Sequence, residues 1–223
     1  MEQSFVDKYR PESLSDVKGH PSAIKKIKSW ANGWERGKKA LLLHGPAGTG
    51  KTSTAEALAN DMGWDVEEVN ASSVRRKDDI DSLIQSITTS FEKRTLFLID
   101  ECDSMDGRSL TPLKKILKDP PNPIIFTANE EWKVPKSISN NTINHKFNLQ
   151  NRSIKPVIKD IAEKEDIRIS KQEIGKLATR KGLRDAINDL QDFAESDESV
   201  DWDEREQDIG NFKAVDNILQ GKK

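Results

Sequence analysis

Apolar positions follow two rhythms along this chain. Unbroken apolar runs at Ala40–Leu43, Thr95–Ile99 and Ile124–Thr127 predict short strands buried on both faces, because a parallel strand covered by helices on each side needs no polar face. Asp65–Asn70 and Ile143–Phe147 are weaker β segments. Between the runs the spacing changes to three and four. Ile24, Ile27, Trp30 and Ala31, with lysines opposite, predict a helix over 22–34. Ile80, Leu83, Ile84, Ile87 and Phe91 predict another over 78–91, and further helices are expected over 53–59 and 109–118. Residues 71–77 and the stretch holding Trp132 and Pro135 read as loops. Strands alternating with helices point to an open parallel α/β sheet. From Ser153 onward only helical patterns occur, over 154–163, 170–181 and 183–194, the second opened by a capping box at Ser170 and Glu173. Three parts are therefore expected: an α/β domain over 1–150, a small all-helical domain over 151–198, and an acid-rich segment over 199–223. In that segment Ile209, Phe212, Val215 and Ile218 trace one more helical stripe, weakened by Gly210.

The stretch with the most chemistry is Gly45-Pro46-Ala47-Gly48-Thr49-Gly50-Lys51-Thr52-Ser53, between a predicted strand and a predicted helix. This context makes GxxxxGK[ST] specific for a phosphate-binding loop. Glycines allow backbone angles closed to other residues. Loop N–H groups and a free helix N-terminus then face an anion. Lys51 is placed for the β- and γ-phosphates of a nucleotide, and the Thr52 hydroxyl for Mg²⁺.

Composition narrows the setting. Of 223 residues 33% are charged and the net charge is −2, so no global basic field announces nucleic acid, although local patches remain open. The single cysteine, Cys102, excludes a disulfide framework and fits a reducing compartment. No apolar run approaches the ~20 residues of a membrane span. A soluble, intracellular (cytoplasmic) chain without a membrane partner is expected.

Four more residues complete a candidate nucleotide site. Asp100-Glu101 ends an apolar strand, at the end that faces the ligand crevice in a parallel sheet. Asp100 would enter the Mg²⁺ shell, and Glu101 would orient or deprotonate the attacking water. Such pairs also merely cap turns; the phosphate loop upstream favours the site. Asn129, ending the next strand, is either a γ-phosphate contact or a turn amide. Arg184 opens a helix of the second domain, where its guanidinium would reach the phosphates or simply be solvated.

Taken together, KYRP (Lys8–Pro11), DVKGH (Asp16–His20), GPAGTGKT, LIDECD, TAN and GLRDAINDLQ (Gly182–Gln191) resemble the AAA+ clamp-loader family, on its archaeal-type large-subunit branch. Residues 65–72 and the tail from Arg205 to Leu219 match in order too. The resemblance implies a RecA-like P-loop ATPase domain with a three-helix lid, in a hetero-oligomeric ring segment. Such loaders open a sliding clamp with ATP and close it on primer–template DNA by hydrolysis. It implies Walker A at Lys51 and Thr52, Walker B at Asp100 and Glu101, sensor 1 at Asn129 and sensor 2 at Arg184. Tyr9, Arg10, Pro11 and Val17 would flank adenine and ribose. The family's small subunits carry a Ser-Arg-Cys finger before the last strand; residues 137–143 here hold no arginine. This chain would thus donate no finger, which fits a large subunit; it would still need one from a neighbour and hydrolyse ATP weakly alone. The family's helical collar should begin about where the chain stops. Ser73 stands where the family has Asp.

The same resemblance implies partners: small subunits, a ring-shaped clamp and primed DNA. Ile84, Ile87 and Phe91 are candidates for a clamp pocket, although a core face has the same spacing. Arg75, Arg76, Lys77 and Arg108, with Lys114, Lys115 and the Ser109 helix start, are candidates for phosphate-backbone contacts. Two rival readings are another AAA+ replication motor or helicase loader, which would expect its own finger, and a nucleotide-gated scaffold with little turnover.

Overall fold

The computed structural model describes residues 3–74, 76–89, 94–105, 110–180 and 182–195. Five strands form one parallel sheet: β1 (Ala40–His44), β2 (Asp65–Asn70), β3 (Thr95–Asp100), β4 (Ile124–Ala128) and β5 (Thr142–Lys146), ordered β2-β3-β4-β1-β5. The three apolar runs occupy β1, β3 and β4 in the middle, and the two weaker segments lie at the edges, as covered and half-covered strands should. Alternate residues feed two cores. Leu42, Phe97, Ile99 and Phe126 pack under α4 (Lys77–Thr89) and α5 (Thr111–Ile116). Leu41, Leu43, Leu98 and Ile125 pack under α2 (Pro21–Asn32) and α3 (Lys51–Met62). Parallel pairing demands crossovers, and α3 joins β1 to β2 across one face.

The α4 stripe is core, with Ile80, Leu83 and Ile87 all buried. The expectation that Ile87 touches a clamp is thereby corrected: its side chain has no exposed surface. Ile84 is only half-buried against the same core.

The second domain is α7 (Asn151–Lys164), α8 (Lys171–Leu177) and α9 (Leu183–Glu195) around Ile158, Leu177 and Leu190. Ser170 caps α8, accepting from the Glu173 N–H at 3.3 Å, while the Glu173 carboxylate accepts from the Ser170 N–H at 2.7 Å. Other expectations need adjusting. The helix expected over 170–181 ends at Leu177, where Ala178 caps it. The loop before β5 contains a short helix, α6 (Lys136–Ser139). One element was not foreseen: α1 (Phe5–Lys8), capped by Ser4, whose side chain accepts from the Asp7 N–H. Phe5, Val6 and Tyr9 pack on the lid's core, not on the sheet, and the Phe5 N–H donates to Gln191 at 2.8 Å. The chain then crosses to α3, where Arg10 meets Glu56 and the Leu14 N–H donates to Asp61. The three C-terminal helices are therefore tied to the sheet by two chain crossings. The tail expected to carry a further helix lies outside the described residues.

Candidate nucleotide site

The glycine loop between β1 and α3 is shaped by what sits against it. Gly45 has φ 145°, and a Cβ there would lie 1.9 Å from the Phe147 carbonyl oxygen, so only glycine fits where β5's continuation passes. Beneath the loop His20 is buried, its Nε2 2.9 Å from the Thr49 carbonyl oxygen and its ring against Phe147. Burial lowers the His20 pKa, which keeps the ring neutral.

Lys51 opens α3 and turns its ammonium back into the loop. Nζ donates to the carbonyls of Gly45 (2.8 Å) and Pro46 (3.0 Å) and to Asn129 Oδ1 (3.0 Å). Three donors meet three acceptors. Burial lowers the Lys51 pKa; Asp100 and Asp103 oppose that shift, and Arg184 is near enough to add to it. Thr52 Oγ1 donates to Asp100 Oδ1 at 3.1 Å. A threonine hydroxyl beside a carboxylate is a hard-oxygen pair, the donor chemistry that Mg²⁺ takes together with phosphate oxygens.

The ends of β3 and β4 are stitched together. Asp100 Oδ1 also accepts from the Thr127 hydroxyl. Glu101 adopts left-handed backbone angles, φ 57° and ψ 42°, and its N–H donates to Thr127 Oγ1 at 3.2 Å. In return Asp103 Oδ2 accepts from the N–H groups of Asn129 (3.2 Å) and Glu130 (3.1 Å).

The lid closes the other side. Gly182 packs so tightly on the loop that a Cβ would sit 2.6 Å from the Ala47 carbonyl oxygen. The Leu183 N–H donates to the Gly48 carbonyl at 2.9 Å, fixing the start of α9 against the loop. The cleft so enclosed measures about 170 Å³, far above the ~10–15 Å³ that one ordered water occupies. Its polar residues include Lys51, Thr52, Asp100, Glu101, Thr127, Asn129 and Arg184; its apolar ones include Val6, Tyr9, Val17, Val157 and Ile187. Tyr9 is fixed by a hydrogen bond to Glu165, which also pairs with Lys8 at 2.6 Å. Partial burial and that carboxylate push the Tyr9 pKa up to about 12.

Of the predicted site residues, Tyr9, Arg10, Pro11, Val17, Ala47 to Ser53, Asp100, Glu101, Asn129 and Arg184 all line this one cleft. Gly45 and Pro46 present their carbonyls to Lys51. Thr127 and Asp103 stand inside the TAN and LIDECD motifs, but the contacts they make across the strand ends are not readable from those motifs, and Val157 and Ile187 belong to no motif. They are found only once strands and domains are brought together. The predicted DNA contacts are not gathered here. Arg76 is exposed and pairs with Asp79, Lys77 opens α4, and Lys114 and Lys115 lie exposed on α5. Arg75, Phe91, Arg108 and Ser109 lie outside the described residues.

Comparison with known proteins bears on the family and the fold. Residues 41–151 match the model of the ATPase family associated with various cellular activities (AAA). The chain is 34% identical to the replication factor C large subunit of Halobacterium salinarum, over 96% of this chain and 50% of that protein. It is 37% identical to that of Methanococcus maripaludis, over 98% of this chain and 49% of the relative. The chain thus spans about half the length of the curated relatives it matches. Among solved structures, the Thermotoga maritima RuvB Holliday junction branch migration motor superposes with a TM-score of 0.68 at 21% identity. That match covers 82% of this chain and 64% of RuvB, and it concerns the fold alone.

Proposed function

From a chain that belongs to the AAA family of ATPases, on its clamp-loader branch, we propose an ATPase module of a sliding-clamp loader's large subunit, working in DNA replication. The observation that carries the reading is convergence. Lys51, Thr52, Asp100, Glu101 and Asn129 from three strand ends meet Arg184 from the lid in one cleft.

In this reading ATP lies with its phosphates against the loop and the start of α3. Lys51 exchanges its carbonyl and amide acceptors for β- and γ-phosphate oxygens, and the anion favours its charged form. Mg²⁺, when bound, would neutralise phosphate charge, held by Thr52 and with Asp100 facing its shell. Glu101 positions the attacking water. Asn129, freed from Lys51, contacts the γ-phosphate, and Arg184 carries that contact to the lid. Tyr9, Arg10, Pro11 and Val17 wall the base and ribose.

Residues 137–143 contain no arginine, and lysine does not replace a planar fork. An arginine finger contributes about 10³–10⁵ in rate. The chain therefore donates no finger; its own site draws one from a neighbouring subunit, and the isolated chain turns over slowly. Arg76, Lys114 and Lys115, with Arg75, Lys77 and Arg108, are offered as contacts to the DNA backbone. Ile84 and Phe91 are offered as contacts to the clamp.

The test is ATP hydrolysis by this chain alone, then with small subunits, clamp and primed DNA. A rise of at least about 10²-fold on full assembly is expected. An unchanged rate in a complex that assembles would contradict the loader reading.

A further inference from the structure

We infer that Thr127 is a positioning residue that fixes the metal-facing carboxylate of Asp100 and the left-handed backbone of Glu101 at once, and so sets Mg²⁺ affinity at the nucleotide site. The inference rests on the nucleotide-site reading above.

A threonine hydroxyl has one proton to give and lone pairs to receive. Here both are used on adjacent acidic residues. The proton goes to Asp100 Oδ1, and Oγ1 receives the Glu101 N–H at 3.2 Å. Thr52 Oγ1 donates to the same Asp100 oxygen at 3.1 Å from the opposite side of the cleft. Two hydroxyls from different elements converging on one oxygen fix the rotation of that carboxylate. Thr127 itself is 1% exposed, so water does not replace its hydroxyl when it is removed.

The second bond bears on Glu101. A non-glycine residue at φ 57° holds that conformation only when its surroundings enforce it. Two kinds of restraint do so. The Glu101 carbonyl accepts from the Ser104 N–H (2.9 Å) and Oγ (2.8 Å), and its N–H is held by Thr127. Sheet register brings the groups together: Ile99 pairs with Phe126, so Asp100 and Thr127 follow side by side at the strand ends. Thr127 thus acts through its neighbours and need not touch nucleotide.

The test separates hydroxyl from shape. Binding of a fluorescent ATP analogue is titrated in wild type, Thr127→Val, Thr127→Ser, Asp100→Asn and Lys51→Ala, first in chelator and then against rising Mg²⁺, with thermal unfolding alongside. Removing an outer-shell partner costs about 10–100-fold in metal affinity. Thr127→Val should therefore raise the Mg²⁺ midpoint about tenfold or more, while its affinity in chelator stays within about threefold of wild type. Thr127→Ser should keep the wild-type midpoint within about threefold. A folded Thr127→Val with a wild-type midpoint overturns the inference. Should the valine variant not fold, serine decides: a midpoint shifted as far as in Asp100→Asn would assign the position to methyl packing and overturn it, whereas a wild-type midpoint supports it. Lys51→Ala keeps the two readings apart. If it binds the analogue as wild type does, the nucleotide site itself is wrong. If it does not, and Thr127→Val behaves as wild type, only the role of Thr127 fails.

Discussion

Lys51 holds three acceptors from two places in the chain, two loop carbonyls and the Asn129 amide. A phosphate that enters must displace those bonds, which ties occupancy of the loop to release of Asn129. Next to it Glu101 is exposed to the cleft while its backbone is strained and restrained. Replacing Glu101 with Gln should lower assembled-complex hydrolysis by about 10²-fold or more while nucleotide affinity is retained; single-turnover and binding measurements on one preparation check both halves. The acidic pair and the loop were legible because each is contiguous: GPAGTGKT and Asp100-Glu101 each lie within a few residues. Thr127 and Asp103 stand inside TAN and LIDECD, but their contacts were not legible, because their partners lie 27 and 26 residues away in sequence and meet them only through strand register. His20 was visible as part of a motif, but its contact with the Thr49 carbonyl depends on where the loop folds over α2.

At the scale of elements, α4 shows how one periodic stripe serves two readings. Its spacing is equally that of a core face and of an anchor for a partner, and burial separates them residue by residue. Ile87→Ala should cost about 2–5 kcal/mol in a denaturant titration, as for other fully buried large-to-small changes. Ile84→Ala, at a half-buried position, should cost about 1 kcal/mol and is the substitution that reports on clamp binding. Element α1 escaped notice because four residues are too short for periodicity to register, and its partners lie on α9. It docks the start of the chain on the lid, and the latch is Tyr9 and Lys8 on Glu165. Hydrogen bonds from Lys8, then Tyr9, lower the Glu165 pKa. The stabilisation is therefore present above the ordinary glutamate value of about 4.3 and is lost as pH falls through the lower folded value. Glu165→Ala should raise amide exchange over residues 5–9 and weaken nucleotide binding by up to about fivefold. Unchanged exchange there would remove the latch from the account.

The described residues form a parallel sheet with three helices folded back on the glycine loop, joined by two crossings. No described helix is long and apolar enough to cross a membrane. The sheet, its central strands and the change to an all-helical region were legible from apolar spacing, because covered strands and amphipathic helices leave different periods. The placement of the lid was not, since the Gly182–Ala47 and Leu183–Gly48 contacts join segments more than 130 residues apart. All three histidines, His20, His44 and His145, have pKa values lowered first by burial. The unfolded chain then binds more protons below about 6.5, so stability rises with pH there and is lost as pH falls toward the folded values. Glu56, raised by burial, works in the opposite sense above the usual glutamate value. The histidine trend should therefore stand out over the range just below about pH 6.5. Thermal unfolding midpoints should fall through that window and be flat from pH 7 to 8; a flat profile throughout would contradict the assignment.

The most direct measurement is a calorimetric titration of a nonhydrolysable ATP analogue with Mg²⁺ into the wild-type chain and into folded Lys51→Ala. The account predicts one site per chain in the wild type and at least about a 10²-fold loss in the variant, the scale of an uncompensated buried charge pair. Equal affinity in the two proteins would show that the nucleotide does not sit in the glycine loop.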